Sequence, residues 1–476
     1  MKFPKSKFFG LSLCLLSVCG ALVGCENSYS PTVKSSEVLP DGEKTTLEKI
    51  MEKYDNLPYE YEGEECTLEM CHWDANGASV ERQVIEAMLQ GFYKRYPKIH
   101  VNLEILSNYE STYPSRLAAG NVHDVFLVPD GSFNAWAKTN TCENLDAYIE
   151  SSDLINTSEL YETSLTRYRY DLKGSKPSLS GNQLALPKDI GPTVMYYNKD
   201  IFDSMNVAYP SATKRMTYDE ATEMWKAVTK KDKSGNITKY GVSGLPTEGL
   251  VWSAGGDFLN PERNAFPTDE KTLAGLKKGY QYIQDAYVTN YITPPIEFTT
   301  GSDGTTLFSQ ERVACFIGLK SYVTQFRELQ FDWDIAPVPA FEENPTASAW
   351  SGSVGYSVFN KSQHKEAAWK LVEYISSKEG QEILSATGFQ IPCYPSIANS
   401  EEFIQQEKKN KPTNVEVFMK EAEGQPVGLW CYRDTQTWKT QGFDSTSELL
   451  FASDESKRIT VDEFLAQVKA KVNGMM

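Results

Sequence analysis

The chain has 476 residues, is 40% hydrophobic and 23% charged, and carries a formal net charge of -17 with a pI of about 4.9. That length supports roughly one to three domains with substantial cores. The acidity excludes nucleic acid and an anionic membrane surface as partners and fits a soluble protein with an uncharged ligand.

At the N-terminus, Lys2, Lys5 and Lys7 precede an apolar run from Phe8 to Val23, followed by Gly24 and Cys25. A charged region, an apolar region and a small residue before a cut form an export signal. The run is too short for a comfortable transmembrane span. Leu22-Val23-Gly24-Cys25 resembles the lipobox of bacterial lipoproteins, which implies a signal peptide over 1–24 and acylation of Cys25. Several acyl chains, at about 0.8 kcal/mol per buried methylene, would hold the protein at a membrane. Residues 25–63 read as the acylated cysteine and a flexible tether rich in Ser, Glu and Pro. Within it, Leu47, Ile50, Met51 and Tyr54 recur at helical spacing, so a short amphipathic helix is expected, either docked or free.

From Cys66 the pattern alternates strand and helix. Thr67 to Trp73 reads as a strand, Val84, Met88 and Phe92 mark a helix face ended by Pro97, and Ile99, Val101, Leu103 and Ile105 alternate as in a half-buried strand. Asp124 to Val128 is the next strand. Strands separated by helices predict a mostly parallel sheet whose ligand lies beyond the strands' carboxyl ends. Those ends are Trp73-Asp74, Ser107-Asn108-Tyr109 and Pro129-Asp130.

Gln183 to Asp200 reads as one strand, a Gly/Pro turn holding Lys188 and Asp189, and a β-branched and aromatic second strand, as expected for a crossover between two lobes. Asn198, Lys199 and Asp200 are expected to open a helix, with Asn198 in a structural role. Thr217-x-x-Glu220 is a capping box opening another. In Val251 to Leu259, Trp252 stands beside Gly255, Gly256 and Asp257; missing side chains there admit either a ligand or a packed helix. Arg312 to Leu319 is expected to lead back to the first lobe, with further strands there at Phe331 to Pro339 and Gly352 to Phe359. A helix from Ser362 to Ser376 is expected to carry the third crossing. Six cysteines follow Cys25. Cys66 and Cys71, if on one strand, lie about 17 Å apart, beyond disulfide reach, and buried thiols are expected.

Only four histidines occur, none at metal-ligand spacing with another, and no P-loop, G-x-G-x-x-G, H-E-x-x-H or G-x-S-x-G is present. No cofactor or metal is expected. A glycoside-processing enzyme, which needs only two suitably spaced carboxylates, stays open beside a binding protein or a glycan-adhesion lipoprotein without a transporter.

The order ALPKD, MYYNKD, WSAGGD, VACFIG, DWDIAPVP and WSGSVGYSV, across residues 66 to 450, resembles the solute-binding lipoproteins of bacterial carbohydrate ABC importers of the maltose-binding type. The resemblance implies an α/β, two-lobed periplasmic-binding-protein fold (type II, Venus flytrap), with mixed sheets flanked by helices and three inter-lobe crossings. Lobes are expected over 64–186 with 319–376, and 187–318 with 377–476. It also implies a monomer that is not an enzyme, with a carbohydrate ligand and, as partners, ABC permease subunits with a separate ATPase.

Sugar sites pair flat aromatic faces with directional hydrogen bonds. Residues of those types beside cleft signals are Trp73, Asp74, Tyr109, Asp130, Lys188, Asp189, Trp252, Gly255, Gly256, Asp257, Trp350, Gly352 and Arg433. The resemblance supports Asp130, Lys188, Asp189, Trp252, Gly255, Gly256, Trp350 and Gly352. Helix capping is the competing role for Asp74 and Asp130, and pairing with Asp434 or Glu421 for Arg433.

Overall fold

The computed structural model describes residues 44–73, 79–295, 303–342, 347–388, 390–452 and 454–476. The signal segment, Cys25 and Asp74 lie outside them.

The amphipathic helix α1 (Thr46–Lys53) opens with a Thr45/Glu48 capping box and docks. Ile50 enters the first core and Met51 is buried beside it in sequence, Arg95 donates to the Met51 carbonyl at 2.6 Å, and the Tyr54 hydroxyl donates to Glu382 at 2.6 Å.

The first lobe is built from β1 (Cys66–Trp73), α2 (Ser79–Arg95), β2 (Ile99–Leu106), α3 (Tyr109–Ala119), β3 (Val125–Pro129) and α4 (Asp130–Lys138). A small antiparallel sheet follows, from β4 (Arg169–Asp171), β5 (Lys176–Pro177) and β6 (Asn182–Gln183). Then β7 (Leu186–Pro187) joins the main sheet, whose order is β2-β1-β3, then Val354–Val358, then β7. Every residue of β3 is buried, as befits a central strand covered on both faces.

Between Pro187 and Thr193 the chain passes into a second sheet. Its strands are β8 (Thr193–Asn198), β9 (Lys230–Lys231), β10 (Ile237–Ser243), β11 (Val313–Leu319) and β12 (Trp333–Ala336), in the order β12-β8-β11-β10-β9. Helices α5 (Tyr218–Val228), α6 (Thr247–Ser253) and α7 (Glu270–Val288) lie between them in sequence. The alternation along β8 feeds two cores. Met195 and Tyr197 join Trp225, Leu276 and Tyr280, while Val194 and Tyr196 join Phe308, Phe326 and Phe418. Asn198 caps the next helix, its side chain accepting from Ile201 N at 2.9 Å.

Two expected crossings fall elsewhere. The strand expected in the first lobe at Phe331 to Pro339 is β12, which pairs antiparallel with β8. The return therefore lies between Ala336 and β13 (Val354–Val358), not at Leu319. Alternating burial marks a strand without naming its neighbour, and Trp333 and Ile335 are as fully buried against the second sheet as they would be against the first. Likewise, α8 (Lys365–Ser376) and α9 (Lys378–Ala386) both place apolar residues in the first core, with Leu371, Ile383 and Leu384 buried there. The last passage runs near Ile391, bridged to Ile190. Beyond it, α10 (Glu416–Gly424) and α11 (Val461–Met475) bury Phe418 and Phe464 in the second lobe's cores. Among the described residues no helix is long and apolar enough to cross a membrane, and the six cysteines are free, five of them buried.

Candidate functional site

Strand register brings one edge of each sheet to the crossings. In the first sheet Trp73 pairs with Leu106, and Pro129 with Val354, which places the ends of β1, β2 and β3 level with the start of β13. In the second, Thr193 pairs with Leu319 and Met195 with Ala336. The linkers between these edges bind each other. Gly191 and Gly352 exchange two hydrogen bonds of 2.8 Å, and Thr193 Oγ1 donates to the Trp350 carbonyl at 2.7 Å. Neither glycine would bring a Cβ closer than 3.6 Å to a neighbour, so the hinge strands are roomy.

An aromatic pair stands beside this hinge, with Trp350 3.6 Å from the position of a Gly352 Cβ. Trp350 meets Trp430 edge to face, centroids 4.6 Å apart at 83°, and both are partly exposed. Trp73 closes β1 and stands edge-on to Tyr109 at 6.5 Å. The indole N–H groups of Trp73 and Trp430 are themselves buried and have no protein acceptor, as is true of the core Trp225 and Trp438. Trp252, on α6, is half-buried. Asp257 accepts from Arg263 at 2.7 Å, and the Arg263 guanidinium lies 4.2 Å over the Tyr432 ring.

Polar side chains, most of them buried, also sit at the crossings. Asp130, the first residue of α4, accepts from Arg167 Nη1 at 2.7 Å and Ser353 N at 3.2 Å. Burial raises its carboxyl above the ordinary range, against the Arg167 charge. Lys188 is fully buried and donates to Glu81 at 2.7 Å. Asp189 accepts from Val354 N at 3.2 Å, and burial pushes its carboxyl up to about 6. Burial, and then the Lys188 charge, hold the His72 imidazole well below its ordinary pKa, and so neutral.

Matched against the sequence of these elements, the model of the family described as bacterial extracellular solute-binding protein covers residues 75–382. The chain belongs to that family. An arabinooligosaccharide-binding protein of Halalkalibacterium halodurans is 26% identical over 226 residues, 44% of this chain and 48% of that one. The chain thus spans about half the length of that relative. A galactooligosaccharide-binding protein of Bacillus subtilis is 23% identical over 302 residues, covering 61% of this chain and 67% of that one. An ABC substrate-binding protein from Listeria monocytogenes, solved with cycloalternan, superposes with TM-score 0.67 at 19% identity over 86% of this chain and 98% of that chain, a likeness of fold.

In this solute-binding protein several expected ligand contacts have structural partners instead. Tyr109 is 2% exposed, stacks on Tyr113 at 4.7 Å and donates to the Leu127 carbonyl, so it belongs to the core. Gly256 carries helix packing, since a Cβ there would sit 2.3 Å from Leu276 N on α7. Gly255 provides a left-handed turn at φ 79°. Lys188 faces Glu81, not open cleft. Arg433 donates to the Arg263 carbonyl at 3.1 Å, while its expected partners Asp434 and Glu421 pair with Lys138 and Arg215. Trp73, Trp252, Asp257, Trp350 and Gly352 are partly exposed. Sequence reasoning missed Trp430, Arg167, Arg263 and Tyr432. Trp430 sits three residues before Arg433 in LWCYRDT, yet nothing local distinguishes it from a core tryptophan such as Trp438.

Proposed function

We propose that this protein is an exported, lipid-anchored receptor that captures an oligosaccharide between its lobes and delivers it to ABC permease subunits served by a separate ATPase. It is a binding protein, not an enzyme. The carrying observation is the partly exposed Trp350–Trp430 pair beside the Gly191–Gly352 hinge bridge. Perpendicular indoles offer flat faces to sugar C–H surfaces. The ligands in the names of the Halalkalibacterium and Bacillus relatives, both oligosaccharides, support the same class.

The mechanism is closure. A ligand held by both lobes favours the closed state by the difference between its contacts in the two states, whereas a ligand touching one lobe shifts nothing. Trp73, Asp130 and Trp350 serve the first lobe's side, and Trp252 with Asp257 the second. Incubation with reducing-end-labelled arabino-, galacto- and maltooligosaccharides tests the reading. Recovery of intact glycan bound to the protein is expected; shortened or transferred products would establish a glycoside-processing enzyme instead.

A further inference from the structure

We propose that Cys71, Glu104 and His123 form a binding site for zinc or a similar borderline divalent cation on the α3 side of the first sheet. Cys71 and Glu104 are register partners on β1 and β2, so their side chains leave the same face. His123 arrives two residues before β3, and one donor atom from each residue lies within 4.8 Å of the others. In a tetrahedral zinc site with bonds of about 2.0–2.3 Å, donor atoms stand about 3.3–3.7 Å apart, so the three need close by only about an ångström.

The donor set is one sulfur, one imidazole nitrogen and one carboxylate oxygen. Thiolate with imidazole selects zinc over calcium or magnesium, which take oxygen ligands. His123 Nε2 already points at Glu104 Oε2, 3.0 Å away. Its Nδ1 lies 3.4 Å from the Tyr113 hydroxyl, whose oxygen would hold the Nδ1 proton and leave Nε2 free for the metal. The fourth position falls to water. Binding exchanges the Cys71 thiol proton for the metal: the S–H bond breaks, the sulfur–metal bond forms, and the proton leaves to solvent.

Arg116 is the competing cation. It donates to Glu104 through two bonds of 2.6 and 2.7 Å, and its side chain is 27% exposed, so it can release Oε2 toward solvent while keeping Oε1. Ligands on two strands and on the approach to a third explain why no metal-ligand spacing appears in the sequence.

Titration with cobalt(II), followed by zinc competition, tests the site. We expect a thiolate-to-cobalt absorption band bleached by zinc, absent in Cys71→Ser, with affinity at least about tenfold weaker in His123→Gln. Arg116→Gln should bind severalfold more tightly, and this arm stands even if Cys71→Ser misfolds. No thiolate band, equal binding by Cys71→Ser, or unchanged affinity in Arg116→Gln would overturn the proposal and leave adventitious carboxylate binding. None of these readouts depends on sugar.

Discussion

Arg167 donates to the Asp130 carboxylate at 2.7 Å with its own side chain fully buried. The same Nη1 reaches the Ser351 carbonyl at 2.7 Å, Nη2 reaches Ser351 Oγ at 2.9 Å, and Nε holds the Thr163 carbonyl. One guanidinium therefore fixes the start of α4 against the return crossing. Removing one partner of a buried pair strands the other charge, at a cost of about 3–5 kcal/mol. Arg167→Met should lose stability of that order in urea denaturation. The double variant Arg167→Met with Asp130→Leu should recover part of the loss, since the stranded carboxylate is gone.

Asp189 gives the hinge a pH dependence. Its folded carboxyl titrates at about 6 against an ordinary 3.8. Between those values the folded state binds more protons than the unfolded one, so stability falls as pH rises from about 4 to about 6. The loss, about 3 kcal/mol, is complete above pH 6. Asp189→Asn keeps an acceptor for Val354 N and loses the charge. It should be more stable than the parent above pH 6, with the advantage fading toward pH 4. Parallel curves across that range in urea denaturation would show that Lys188 fully compensates the carboxylate.

Gly256 and Trp252 separate packing from binding within one loop. Gly256→Ala forces a methyl against the α7 backbone and should cost about 1–3 kcal/mol or more, with sugar affinity changed little in the fraction that folds. Trp252→Ala should weaken sugar binding at least about tenfold while thermal stability drops modestly, because the indole is only half-buried. Calorimetric titration beside thermal melts distinguishes the two outcomes.

The α1 helix is a brace on the first lobe. Replacing Ile50 and Met51 by Asp removes apolar contacts at α2 and α9 and places charges in their stead, so the melting temperature should fall. Sugar affinity should stay within about twofold, because α1 carries none of the residues assigned to the ligand.

Local patterns carried much of the fold. The β7-to-β8 passage follows from Gly191 and Pro192 between two apolar runs, and the Thr217/Glu220 capping box stands as the sequence indicates. What local pattern lacks is partnership. β12 reads as a buried strand in either lobe, and only its pairing with β8 decides. The same limit governs the site: Lys188 and Tyr109 have residue types fit for a ligand, but Glu81 and Leu127, far away in sequence, take their hydrogen bonds. Trp430 escaped for the converse reason, since its neighbour Trp350 is brought to it only by the crossing.

The most direct measurement is a thermal-shift screen of the domain from about residue 44 onward against mono- and oligosaccharides, with amino acids, peptides and polyols alongside. A ligand near 100 times its Kd should add about 2.7 kcal/mol and raise the melting temperature by several degrees. The account predicts a selective shift with an oligosaccharide, abolished in Trp350→Ala. No shift with any glycan, and a shift with one of the other classes, would contradict it.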